Sequence, residues 1–212
     1  MNTYKYTMDQ LRSLCKTWAQ DIGKDFKPDL VVFIAKSGYI IADEFSKSFG
    51  VPMDEVVASR SGGNLRKLVA PVFRLLPLKI RNLIVGAKIM YFVNDKKTER
   101  NIRVPASLAK LASDGKYKKV LLIDDSIDTG WTFLAAYNAV KEIFRNSEVR
   151  SLALIRMDFS MKRFKVDYHY FENALLLTPA QVDSGEYDEF IYQYKKWSEN
   201  KNKSIAKDDS KI

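Results

Sequence analysis

Asp124 and Asp125 stand side by side at the end of a four-residue apolar run, 120–123 (VLLI), and lead into Ser126, Ile127, Asp128, Thr129, Gly130, Trp131 and Thr132. Ionised carboxylates only accept hydrogen bonds, so a pair at a strand end can hold the vicinal hydroxyls of a ribose. Gly130 carries no side chain, which lets the backbone come close to a ligand. A helix opening directly after it offers its free N–H groups, with threonine hydroxyls beside them, as a cradle for phosphate. Together these parts would grip a sugar 5-phosphate from both ends.

The elements that must hold these residues are legible in outline. Residues 8–22 place Met8, Leu11, Trp18 and Ile22 at helical spacing, and Lys27-Pro28-Asp29 ends that pattern. The run 30–35 (LVVFIA) reads as a buried parallel strand. Lys36-Ser37-Gly38 is a turn, and 39–49 is a helix closed by Gly50. Residues 53–59 read as a second strand. The strand at 120–123 gives way to a loop over 124–130. A helix at 132–145 follows, with Phe133, Tyr137, Val140 and Phe144 on one face. Further strands are expected at 149–155, 168–171 and 174–177, then a last helix at 186–197. The polar, lysine-rich stretch 200–212 predicts a disordered tail. Strands alternating with helices argue for an α/β protein with an open sheet and a ligand at the carboxyl ends of its strands.

The stretch from Leu121 to Thr132, in its strand–loop–helix setting, resembles the phosphoribosyl-pyrophosphate (PRPP) signature of type I phosphoribosyltransferases. The resemblance implies that family's fold: a parallel sheet flanked by helices, with a small C-terminal hood at 156–185. It implies PRPP binding by Asp124, Asp125, Asp128, Thr129, Gly130, Trp131 and Thr132. The turn at Lys36-Ser37-Gly38 occupies the place of that family's pyrophosphate loop, often built on a non-proline cis peptide. Lys36 would face phosphate oxygens while the amides of Ser37 and Gly38 donate to them. Many members have two glycines here, and this chain has Ser37 in one of those places.

Members acting on 6-oxopurines typically carry an aspartate where Asp128 stands, positioned to handle the N7 proton, so Asp128 is the catalytic candidate. Its alternative role is to cap the following turn or helix. Arg156 falls near the lysine with which those enzymes contact the exocyclic oxygen of the base. Tyr168 and Phe171 are candidates to stack on a base, although aromatics near strands also serve as core. The implied reaction joins a nitrogenous base, a 6-oxopurine, to ribose 5-phosphate with loss of pyrophosphate, as in nucleotide salvage. Magnesium is the implied cofactor, bridging pyrophosphate and ribose hydroxyls with few direct protein ligands, and a homodimer is the implied assembly.

Composition sets the bounds. With 212 residues, 46% hydrophobic and 29% charged, the chain fits one globular domain, placed at 1–199. Cys15 is the sole cysteine and cannot pair internally. The polar start lacks a secretory pattern and no apolar run reaches 18 residues, so a cytoplasmic protein without a transmembrane segment is expected. The net charge of +9 is concentrated: positions 60–103 hold eleven basic residues against Asp95 and Glu99. This basic insertion lies where the resembled family has its flexible catalytic loop, and Arg60, Lys67, Lys97, Arg100 and Arg103 are candidates to close over pyrophosphate. Such a charge also suits nucleic acid, which defines the alternative: a non-catalytic, PRPP-sensing regulator of the same fold.

Overall fold

The computed structural model describes residues 3–60 and 100–209. A short strand β1 (Thr3–Lys5) precedes helix α1 (Met8–Ile22), which opens on a capping box: Thr7 Oγ1 accepts from the Gln10 amide while Gln10 Oε1 accepts from the Thr7 amide. Strand β2 (Leu30–Ala35) leads through the 36–38 turn into α2 (Tyr39–Phe49), which ends on Gly50 in the left-handed conformation. Strand β3 (Met53–Arg60) follows. After position 99 come β4 (Arg100–Arg103), α3 (Ala106–Ser113), β5 (Lys119–Ile127) and α4 (Trp131–Ile143). Strand β6 (Glu148–Arg156), a 3-10 turn (Asp158–Lys162), β7 (Tyr168–Glu172), β8 (Leu175–Leu177) and α5 (Tyr187–Asp209) complete the chain.

Six strands form one sheet in the order β4-β3-β2-β5-β6-β7, all parallel except the β3–β4 pair. Both faces are covered, which is why its central strands read as continuous apolar runs. Alternate residues serve opposite faces. Val31, Phe33, Leu121 and Ile123 meet α1, α2 and α5, whereas Leu30, Val32, Val120 and Leu122 meet α3 and α4. The sheet-and-helix layering is the one that the strand–helix alternation predicts.

Several boundaries differ from the sequence reading. Strand β5 does not stop at Ile123: Ser126 and Ile127 still pair with Ile155 and Arg156 of β6, so the expected loop 124–130 is strand for its first four residues. Residues 100–103, expected as loop, are the antiparallel edge strand β4. Most of the basic segment 60–103, with Lys67 and Lys97, lies outside the described residues. The tail expected to be disordered from residue 200 is instead helix through Asp209. Lys201 of that helix donates to Asp54 Oδ1 at 2.8 Å and to Glu55 Oε1 at 3.3 Å, a long-range pairing that composition does not reveal. The region expected as the hood also draws on an N-terminal strand, because β1 pairs with β8.

Candidate functional site

At the carboxyl ends of β2 and β5 lies a cavity of about 380 Å³, lined among others by Ser37, Arg100, Asp124, Asp125, Asp128 and Thr132. The sheet builds it. Phe33 and Ile123 are directly paired neighbours, so the residues that follow them, the 36–38 turn and the Asp124-Asp125 pair, emerge side by side.

Asp124 is buried, with 7% of its surface exposed. Its Oδ1 accepts from Ser37 Oγ at 3.0 Å and from the Asp125 amide at 2.9 Å. Burial, and then the neighbouring Asp125, hold the Asp124 carboxyl well above the usual carboxylate range, and burial raises Asp125 as well. Two acids side by side, one buried and one half-buried, make a place where a proton, a cation or hydroxyl donors are favoured.

The start of α4 lines the same cavity. Its cap is Gly130, at φ 83° and with no side-chain cap bond, so the first-turn N–H groups are directed at whatever the cavity holds. A Cβ on Gly130 would stand 3.1 Å from Ser160 O and 3.3 Å from Arg163 Cβ. Glycine is therefore required twice over, by conformation and by space. Thr129 and Thr132 line the cavity, as does the exposed Asp128. Trp131 does not: the Arg163 guanidinium lies 4.9 Å from its ring centre, and Arg163 Nη1 donates to Thr129 O at 3.3 Å. Arg163 thus clasps the loop from behind, a role that no spacing in the sequence announced.

The first loop is only partly as expected. The Ala35–Lys36 peptide is cis. Ser37 faces the cavity. Lys36 is exposed, and its Nζ lies 5.7 Å from the Tyr194 ring centre of α5. The Gly38 amide does not point to a ligand, since it donates to Ile34 O at 3.3 Å. A Cβ at Gly38 would come within 2.9 Å of Ile123 O, so this glycine lets the loop press against β5.

The base candidates are not gathered together. Arg156, at the carboxyl end of β6 beside Ile127, has its guanidinium held by Asp158 (3.1 Å) and Glu172 (2.7 Å). Tyr168 begins β7 at the amino-end side of the sheet, where its hydroxyl engages Asp25 and Arg150. Phe171 stacks on Tyr4 at 4.9 Å and packs near Tyr6. The last two do core and edge work away from the cavity. Which way a strand residue faces depends on register, and sequence alone did not supply it.

Residues 7–178 match a family model described as a phosphoribosyl transferase domain. The chain is 31% identical over 127 residues to the bifunctional protein PyrR of Microcystis aeruginosa, a match covering 54% of this chain and 70% of that protein. A purine phosphoribosyltransferase from Pyrococcus horikoshii shares the fold with a TM-score of 0.55, at 17% identity, over 84% of this chain and 93% of the other. The xanthine-guanine-hypoxanthine phosphoribosyltransferase of Helicobacter pylori does so with a TM-score of 0.55, at 10% identity, over 86% and 94%.

Proposed function

Because the chain belongs to the phosphoribosyl transferase domain family, we propose that it transfers ribose 5-phosphate from PRPP to a 6-oxopurine and releases pyrophosphate. The observation that supports this most is the one cavity lined both by the paired acids and by an uncapped helix start. Asp124 and Asp125 would accept from the ribose hydroxyls. The first turn of α4, with Thr129 and Thr132, would take the 5-phosphate. Ser37 and Lys36 would take the pyrophosphate end. Attack by the base at C1 passes through an oxocarbenium-like state, so the protein's work is alignment and the stabilisation of charge on the departing pyrophosphate. Asp128, exposed at the cavity, would receive the proton that the imidazole ring of the purine loses.

The donor set fits magnesium. All the donors at the strand end are oxygens, and the raised carboxyls of Asp124 and Asp125 are relieved by a cation. Among the described residues no three acidic, histidine or cysteine side chains converge into a ligand cage. This suits an ion that keeps most of its ligands from substrate and water. When bound, the ion would neutralise leaving-group charge, with Asp124 and Asp125 as the protein's contribution to holding it.

The test is a screen of purines and pyrimidines with PRPP and magnesium, reading pyrophosphate release. Release with hypoxanthine or guanine is expected. Release with pyrimidines alone would overturn the purine assignment, and no release with any base would overturn the reaction.

A second reading is favoured by one observation, the eleven basic residues packed into positions 60–103. They suit a regulator that senses PRPP and binds nucleic acid.

A further inference from the structure

Arg100 opens β4, the antiparallel edge of the sheet, and lines the same cavity as the paired acids. Its Nε donates to Thr132 Oγ1 at 3.0 Å, which ties the sheet edge to the first turn of α4. A hydroxyl has one proton to give, and a Thr132 oxygen that accepts from Arg100 turns that proton away from the guanidinium. Three kinds of donor therefore stand at one wall of the cavity: the first-turn amides of α4, the Thr132 hydroxyl and a guanidinium. Asp124 and Asp125 line the same cavity. A planar fork beside backbone N–H groups is matched to a phosphate monoester, which it can meet with two parallel charge-assisted bonds.

We infer that Arg100 is a ligand of the substrate's 5-phosphate and sets the preference for phosphorylated over unphosphorylated ribose. This differs from closing over the pyrophosphate, the role for which the sequence offers Arg100 beside Arg60, Lys67, Lys97 and Arg103. The inference rests on the reading of the cavity as a PRPP site. It assigns the anion end of that site to a residue outside the strand–loop–helix signature, held in place by a contact to Thr132.

The experiment is calorimetric titration of the full chain with ribose 5-phosphate and, separately, with magnesium pyrophosphate, for wild type, Arg100→Gln and Arg100→Lys. Arg100→Gln should weaken ribose 5-phosphate about 10- to 100-fold and change pyrophosphate affinity by no more than about twofold. Arg100→Lys, which keeps the charge and loses the fork, should recover part of that loss. Wild-type affinity for ribose 5-phosphate should rise with pH through the second phosphate ionisation, near about pH 6, and Arg100→Gln should flatten that rise. A merely structural residue would leave the pH response intact. Unchanged ribose 5-phosphate affinity in both variants overturns the assignment, as does equal loss of both ligands. If the wild type binds neither ligand, the reading of the cavity falls, and the assignment with it.

Discussion

Ser37 Oγ donates to Asp124 Oδ1 at 3.0 Å across 87 residues of sequence, so the loop after β2 and the end of β5 are joined by a direct bond at the floor of the cavity. The two loops that would hold opposite parts of PRPP are thereby one unit, and a change at either is felt at the other.

Asp124→Asn should separate stability from binding. Asparagine keeps an oxygen to accept from Ser37 and the Asp125 amide. It removes a carboxyl whose folded pKa lies above its unfolded value. For such a group the stabilising form is the protonated one, so stability is fully present below about pH 4, the unfolded value, and is lost as pH rises through the folded pKa. The variant should therefore unfold at a higher temperature than wild type at neutral pH, with the gain vanishing below about pH 4. PRPP affinity should fall by about tenfold or more. Equal unfolding profiles at pH 4 and pH 7 would contradict the buried-acid account.

Gly130→Ala and Gly50→Ala make a matched pair. Both glycines have positive φ, but a Cβ at Gly50 meets nothing within 4 Å, whereas one at Gly130 meets Ser160 O and Arg163. Each variant carries backbone strain of about 1 kcal/mol or more. Only Gly130→Ala should also raise the KM for PRPP, because the phosphate loop must shift. Steady-state kinetics beside a thermal melt decides it, and an unaltered KM in Gly130→Ala would count against the cradle.

Asp128→Asn should lower turnover with a 6-oxopurine by about 10²–10⁴-fold while PRPP affinity changes little. Near-normal turnover would make Asp128 a cap and nothing more.

What sequence reveals here depends on whether the cause is local. Helix α1 and helix α2 match their expected spans, because apolar spacing and the breakers at Pro28 and Gly50 are written into adjacent residues. Asp124, Asp125, Asp128, Thr129, Gly130 and Thr132 line one cavity because they are close neighbours in sequence. Strand β5 runs on to Ile127 because β6 pairs with it, and nothing in Asp-Asp-Ser hints at an extended ladder. Helix α5 runs past residue 199 although Asn and Lys there favour solvent, since Lys201 finds its partners on β3. The engagement of Tyr168 with Asp25 and Arg150 is a matter of register, which no local spacing shows.

Lys201→Met should cost about 3–5 kcal/mol. The side chains of Asp54 and Glu55 are 2% and 8% exposed, and removing the ammonium leaves buried acids without their cation. Glu55 keeps the Tyr194 hydroxyl at 2.6 Å, which sets a floor on the damage. Chemical denaturation would check this, and a loss below about 1 kcal/mol would mean that the helix end is held by other contacts.

Nucleic acid should bind weakly at physiological salt if the basic segment serves a small anionic substrate. Tight, sequence-dependent binding that survives added salt would promote the regulatory reading.

Strand β1 lies at Thr3–Lys5 and its partner β8 at Leu175–Leu177, and the Met8 amide is held by Glu186 Oε2 at 2.9 Å. During synthesis the first strand therefore leaves the ribosome long before the segment that completes it. It waits through most of translation as an open edge. Closing so long a loop is slow relative to helix formation, since chain entropy is spent before any contact repays it. The β1–β8 pair is thus completed late, and a chain released early would carry the strand–loop–helix of β5 and α4 on a molecule whose first strand has not yet found its partner.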